Sequence, residues 1–383
     1  MTNRYQYTNA LGEDSDKLPL LFGVPQGSCL GPLLFLIYIN DICKSTSLAE
    51  FVLFADDTNI FVSANTKKLA YECANNVLEA VSNYMKANKL HINRTKCCYM
   101  YFNPNKKHAS YNEELTLTIN NNDIELVHEA KFLGVIIDDK LSWTPHIQNL
   151  TKKLKCHIGC INRIKNNIPS GLHKQLYHTL FESHLTYGIT VWGGGTYSKL
   201  EPLLNMQKKC LRILFGDKEA YLDKFKTSAR CRPYGNQILG QEFHAKENSK
   251  PLYNDNEILT IHNLYLYHTC NEVFKILKYR TPISLYSLYI RSTRKDSLLI
   301  TPTSSHHFIF RSSEIWNLVR QKLKINDLAC TKFGTLKRSL KSLITKYQKF
   351  GEYMEWNNNE LDVKCALKFN CRPDFEYYNT NDD

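Results

Sequence analysis

Long apolar runs are missing from this chain. The longest, Leu33 to Ile39, stops at Asn40 and Asp41. A membrane-spanning helix needs about 20 apolar residues, so no transmembrane segment and no membrane partner are expected. The first ten residues are polar and lack the apolar stretch of a secretory signal. Zinc-ribbon spacing is missing too. Among 13 cysteines only Cys97 with Cys98, Cys156 with Cys160 and Cys365 with Cys371 lie close in sequence, and none has the paired spacing of a structural zinc site. The cysteines therefore read as reduced thiols, and the chain as nuclear or cytoplasmic. There is no internal repeat or low-complexity tract. An apolar content of 43% and a charged content of 22% exclude wholesale disorder, collagen and coiled coil. At about 150 residues per domain, 383 residues suggest two to three domains.

Acidic residues are scarce where basic ones gather. The net charge is +12, unevenly spread. Residues 1–63 hold three basic and seven acidic residues, whereas residues 146–230 hold fourteen basic and five acidic. A basic stretch of that size suits a polyanion, because Lys and Arg release counterions from phosphates. A solvated helical face is the plainer reading, and both stay open on charge alone.

Hydrophobic spacing outlines the elements. Leu20 to Val24 is strand-like and enters a Pro-Gly loop, Pro25 to Pro32, ahead of a short apolar helix over 33–42. Phe51 to Ala55 and Ile60 to Ser63 read as a hairpin with the polar turn Asp56-Asp57-Thr58-Asn59. Leu69, Cys73, Val77, Val81 and Met85 form one stripe of a long helix over 66–90. Segments 98–102, 115–119 and 132–137 look like strands. After Pro145 the pattern turns helical, with Ile147, Leu150, Leu154, Ile158, Ile161 and Ile164 on one face. Further helices are expected over 171–191, 197–215, 257–279, 314–324 and 331–350. The Asn-rich patches 120–122 and 357–359 read as loops.

Two constellations carry chemistry. Gly23-Val24-Pro25-Gln26-Gly27-Ser28 leads a strand into a glycine-containing loop and then a helix. Glycine lets a backbone approach a ligand closely, and a helix N-terminus favours anions. An ordinary tight connection is the alternative. The second is Phe54-Ala55-Asp56-Asp57. Adjacent carboxylates repel and are relieved by a cation, and Mg²⁺ takes few protein carboxylates alongside substrate phosphates. An exposed Asp-Asp turn is the alternative.

In this order and spacing the motifs resemble the reverse transcriptase of LINE-like, jockey-type non-LTR retrotransposons. Residues 23–42 resemble the GVPQGS-x-LGPLLF-x-IYINDI stretch, and Phe54 to Asp57 the (F/Y)-x-D-D motif. Residues 90–102 resemble L-x-x-N-x-x-K-(T/S/C)-x-x-M-x-F, with Asn93 and Lys96 in place. Residues 132–135 resemble FLG(V/I), and residues 3–6 NR-x-Q. Tyr187 to Gly193 and Gln207 to Leu214 resemble Y-x-x-x-VWG and QKK-x-(L/I)-R-I. The similarity covers about residues 1–216.

The resemblance implies an α+β fold: a partial reverse-transcriptase palm with a mixed sheet and helices on one face (1–143), then a helical thumb (144–216). A linker (217–256), a basic helical domain (257–350) and a partly disordered tail (351–383) would follow. It implies RNA-directed DNA polymerisation on an RNA template with a DNA primer and dNTPs. Asp56 and Asp57 would hold Mg²⁺ and Lys96 would protonate the leaving pyrophosphate. Pro25, Gln26, Gly27 and Ser28 would meet template and nucleotide, and Phe132, Leu133 and Gly134 would grip the primer. Lys152, Lys153, Arg163, Lys208, Lys209 and Arg212 would contact phosphates. Plainer readings stand beside these: a surface lysine for Lys96, core residues for Phe132 and Leu133. The family's third metal-binding Asp is expected ahead of NR-x-Q, in a stretch for which the sequence has no room. Glu13, Asp14 and Asp16 read as a polar turn. An N-terminally truncated enzyme, inactive alone and binding Mg²⁺ weakly, is therefore expected. The alternative is a non-catalytic nucleic-acid-binding remnant.

Overall fold

The computed structural model describes residues 4–20, 23–24, 27–102, 115–194, 197–216, 250–290, 308–325, 328 and 331–350. Pro25, Gln26, most of the expected linker and the tail lie outside them. The chain divides into two compact units, residues 1–128 and 129–383. The sequence reading draws its palm boundary at residue 143.

The first unit begins with two nested hairpins. Strand β1 (Arg4–Gln6) pairs antiparallel with β4 (Leu18–Leu20), and β2 (Asn9–Ala10) with β3 (Glu13–Asp14). Glu13 and Asp14 thus sit in an exposed hairpin, as their polarity suggests. Helix α1 (Leu30–Ile39) follows the glycine loop. The Ser28 hydroxyl accepts from the Gly31 N–H at 3.0 Å, and Pro32 is tolerated because it falls in the first turn. Strands β5 (Glu50–Phe54) and β6 (Asp57–Phe61) form the Asp-Asp hairpin, and α2 (Lys67–Ala87) starts at a Thr66 cap that accepts from Leu69 N–H.

The hairpin alternates as a half-covered strand pair should. Phe51, Leu53 and Ile60 pack on Ile39, Ile42, Val77 and Val81, while Val52, Phe54 and Phe61 are exposed. Leu53 and Ile60 thus face this core, whereas Phe54 between them and the tip is exposed. Of the α2 stripe Val77 and Val81 are buried, Cys73 and Met85 are half-buried and Leu69 is exposed. Helix α1 is apolar on every side, yet Leu33, Leu36 and Ile37 are 53%, 48% and 64% exposed.

The remaining short strands of this unit are β7 (Cys98–Tyr99), β8 (Thr118–Ile119), β9 (Asn122–Asp123) and β10 (Glu125–Leu126). Asn120 and Asn121, read as loop, make the two-residue turn between β8 and β9, both at positive φ. Among the described residues every ladder is two-stranded, and only β7 with β10 is parallel. Strands of two to five residues spend their backbone hydrogen bonds mostly on the nearest hairpin partner, so no mixed sheet extends through these residues.

The second unit opens with the hairpin β11 (Glu129–Phe132) and β12 (Val135–Asp138). A turn interrupts the single strand expected over 132–137. Buried Asp138 then accepts from the N–H groups of Ser142 (3.0 Å) and Trp143 (2.9 Å). Burial pushes its pKa up, but these donors outweigh that and hold it below the ordinary carboxylate range. Helix α3 (Thr144–Ile164) buries the expected stripe from Ile147 to Ile161.

The helix expected over 171–191 is broken into α4 (His173–Tyr177), a π turn (His178–Glu182), α5 (Ser183–Thr186) and α6 (Ile189–Trp192). Gly188, at φ +62°, separates the last two. Helix α7 (Tyr197–Phe215) packs along α3. Helices α8 (Lys250–Asp255), α9 (Ile261–Tyr279), α10 (Ile283–Ile290), α11 (Phe308–Lys322) and α12 (Phe333–Phe350) complete the unit. Its core runs from Leu154, Phe181, Trp192 and Leu211 to Cys270, with a second cluster around Phe274, Tyr289 and Trp316. Among the described residues no helix is long and apolar enough to cross a membrane.

Candidate active site

The glycine loop and the Asp-Asp hairpin meet. One cavity of about 530 Å³ is lined by Gly27, Ser28 and Cys29 of the loop, Pro32 and Phe35 of α1, and Ala55 and Asp56 of the hairpin tip. Small-molecule sites commonly fall in that size range. The hairpin tip is tighter than the four-residue polar turn read from sequence. Phe54 pairs directly with Asp57, leaving Ala55 and Asp56 as a two-residue turn, and Ala55 takes φ +51°. A left-handed alanine is uncommon, and here it lets the strand reverse within two residues. Asp56 therefore faces the cavity from the turn, while Asp57 is already in β6, and both are exposed.

The loop is held from two sides. Gly27 adopts φ +82°, open to glycine and strained for other residues. Ser28 ties the loop to α1 through its cap. At the other end Arg4 Nη2 donates to the Gly23 carbonyl at 2.6 Å, fastening the loop entrance to β1. Arg4 stands in the NR-x-Q element, and the sequence offers no sign that it points at this carbonyl.

Lys96 lies in an exposed 3-10 turn, residues Arg94–Lys96, and does not line the cavity. Pro25 and Gln26 fall outside the described residues. Phe132, Leu133 and Gly134 belong to the second unit. Leu133 (φ +45°) and Gly134 (φ +87°) make the β11–β12 turn, a type I′ pattern suited to the strand twist. The Tyr187 hydroxyl donates to the Leu133 carbonyl at 2.5 Å, and a Cβ on Gly134 would stand 3.2 Å from Tyr187 Cε1. Trp192 Nε1 donates to the Tyr187 carbonyl at 2.9 Å. His146 Nδ1 accepts from the Ile136 N–H at 3.2 Å. The Y-x-x-x-VWG stretch thus holds the FLG turn, a pairing that spacing in the sequence cannot reveal. Of the expected phosphate contacts, Lys152, Lys153, Arg163, Lys209 and Arg212 are exposed and Lys208 is half-buried.

Asp56, lining this open pocket, and adjacent Asp57 are exposed carboxylates, hard oxygen donors of the kind Mg²⁺ takes. Among the described residues no group of three or more His, Cys, Asp or Glu side chains gathers as a metal site.

Residues 4–137 match the family described as reverse transcriptase (RNA-dependent DNA polymerase). This stretch, about a third of the chain, is similar to a reverse transcriptase domain. Its curated relatives are non-LTR retrotransposon polymerases. It is 26% identical over 216 residues to the RNA-directed DNA polymerase from mobile element jockey of Drosophila melanogaster, covering 54% of this chain and 23% of that protein. It is 28% identical over 204 residues to the jockey polymerase of Drosophila funebris, covering 51% and 22%. It is 29% identical over 178 residues to the retrovirus-related Pol polyprotein from type-1 retrotransposable element R1 of Bradysia coprophila, covering 44% and 17%. The chain therefore spans less than a quarter of the length of these relatives. No solved structure matches it.

Proposed function

We propose that this chain supplies the metal-binding hairpin, nucleotide loop, primer grip and duplex-clamping helices of an RNA-directed DNA polymerase. In this reading residues 1–143 are part of a palm that includes the Asp-Asp hairpin. The observation that carries the reading is that Asp56 lines the same cavity as Gly27 and Ser28. It sets a carboxylate beside a loop whose glycine allows close approach to a nucleotide.

Asp56 and Asp57 would hold Mg²⁺ through their carboxylate oxygens. When bound, a metal pair supplies activation of a primer 3′-hydroxyl and neutralisation of triphosphate charge. Gly27 and Ser28, with Pro25 and Gln26, keep the nucleotide and template base against the loop, and Arg4 positions the loop entrance. Lys96 delivers a proton to the departing pyrophosphate. Phe132, Leu133 and Gly134 hold the primer end, their turn braced by Tyr187. Lys152, Lys153, Arg163, Lys208, Lys209 and Arg212 contact duplex phosphates, which orient a duplex without reading its sequence.

Two carboxylates leave Mg²⁺ most of its water shell and bind it weakly. We infer that polymerisation draws on a further carboxylate beside Asp56 and Asp57, and that the chain alone extends no primer. The exposed lysines and arginines of α3 and α7 favour a second reading, a nucleic-acid-binding protein without catalysis. Primer extension on an RNA template separates the two. The polymerase reading expects extension when the rest of a jockey-type polymerase is supplied in trans, and its loss with Asp56→Asn. The binding reading expects oligonucleotide binding and no extension under either condition.

A further inference from the structure

Helix α12 lies outside the family-matched residues and presents a cationic face that nothing in its own sequence neutralises. Residues 331–350 contain Lys332, Lys337, Arg338, Lys341, Lys346 and Lys349 and not one Asp or Glu. The helix is amphipathic. Leu336, Leu340 and Ile344 are buried at a spacing of four and seat it against α8 and α9. Arg338, Ser339, Ser342 and Lys346 are exposed, with Lys341 half-buried at the edge. That outward face consists of cations and small hydroxyl side chains, the groups that contact phosphate oxygens.

An ordinary solvated helix face interleaves Glu and Lys so that residues three and four apart attract. Here Lys337 and Lys341, four apart, and Arg338 and Lys341, three apart, repel. The neighbouring elements add to the positive charge. Lys337 Nζ lies 4.7 Å from the centroid of the Phe333 ring, and Lys275 Nζ lies 5.6 Å from the same centroid. Phe333 stacks on Phe274, whose centroid is 5.5 Å from Lys278 Nζ. Lys278 also donates to the Thr331 carbonyl, fixing the start of α12 against the end of α9. Glu272 pairs with Lys275 at 2.7 Å. Glu272 thus offsets Lys275, and the flank's remaining positive charge comes from Lys278 and Lys337 on an aromatic base, extended by a helix without acids.

We propose that the exposed face of α12, with Lys275 and Lys278 at its flank, is a second nucleic-acid-binding surface that engages the phosphate backbone. Lys337 and Lys341 lie one turn apart, about 6 Å in rise, at one edge of the exposed face, and Lys346 lies at its other edge. Binding is expected to be largely independent of sequence, because contacts to phosphate oxygens carry no base information. The inference goes beyond the polymerase reading and holds or fails on binding alone.

The test uses the full chain and a fluorescent 20-nucleotide RNA titrated from 50 to 200 mM salt, with a DNA of the same sequence as a second probe. The variant Lys337→Gln, Arg338→Gln, Lys341→Gln is expected to weaken binding to both probes at least about fivefold. It is also expected to reduce the salt slope by roughly two. The charge-keeping variant Lys337→Arg, Lys341→Arg is expected to bind as the unaltered chain does. Unchanged affinity and slope in the glutamine variant would overturn the proposal. So would an equal loss in the arginine variant, which would trace the effect to folding. A glutamine variant that loses binding to phosphatidylserine vesicles but keeps its RNA affinity would overturn it as well, in favour of a membrane surface.

Discussion

The Tyr187 hydroxyl donates to the Leu133 carbonyl at 2.5 Å, so a side chain from the helical segment closes the turn of the FLG hairpin. Gly134 makes this possible. At φ +87° with 3.2 Å between a would-be Cβ and the tyrosine ring, it accommodates both the turn and the ring's approach. Tyr187→Phe is expected to cost about 0.5–1.5 kcal/mol, the net worth of one hydrogen bond. Gly134→Ala should cost more, about 1–3 kcal/mol, because strain adds to the clash. Urea unfolding of the two variants checks the order, and a harmless Gly134→Ala would contradict it.

Gln207 makes a denser junction. It is fully buried, donating to the Tyr177 hydroxyl at 2.7 Å and the Leu259 carbonyl at 2.8 Å. It accepts from the Tyr253 hydroxyl at 3.2 Å and the Ile261 N–H at 3.1 Å. All four bonding positions of the amide are filled. Gln207→Leu strands those partners in an apolar core and should destabilise the chain by about 3 kcal/mol or more. Calorimetry would register it as a lower Tm, and no shift would mean that the junction carries little weight.

Acid should loosen the second unit before carboxylates titrate. Burial holds His146, His184, His262 and His268 below the ordinary histidine range, His262 at about 4. His157 and Lys153 add to the effect on His184, and Lys153 adds to it on His146. Below about pH 6.5 the unfolded chain binds protons that the folded one refuses. Stability is therefore full above 6.5 and falls as pH drops, for His262 until about 4, by at most about 3 kcal/mol. Denaturation midpoints from pH 7.5 to 4.5 should show this slope, and His262→Gln should flatten it.

Helix α1 should limit solubility. An apolar helix with Leu33 and Ile37 mostly exposed is an association surface. Leu33→Lys with Ile37→Lys is expected to raise the monomer fraction in light scattering without loss of helix. Unaltered association would place the sticky surface elsewhere.

Much of the site was legible in the sequence because it rests on local chemistry. The stripe Ile147 to Ile161, the glycine-containing loop at Gly27 and the presence of a hairpin around Asp56 and Asp57 follow from spacing and residue type. The tertiary pairings were not legible. Arg4 with Gly23, Tyr187 with Leu133 and Gln207 with its four partners join residues 19 to 54 positions apart, and no periodicity encodes such contacts. The tight Ala55-Asp56 turn was also hidden, since alanine gives no signal for positive φ. The exposure of α1 was unreadable for the opposite reason, because a helix apolar on all sides reads as buried.

The central claim, that Asp56 belongs to a polymerase centre, is tested most directly by primer extension with the full chain on a primed RNA template with Mg²⁺. The chain alone should add no nucleotide. With the rest of a jockey-type polymerase supplied in trans it should extend the primer, and Asp56→Asn should abolish that extension at least about a hundredfold. Extension that survives Asp56→Asn would contradict the account, as would extension by the chain alone.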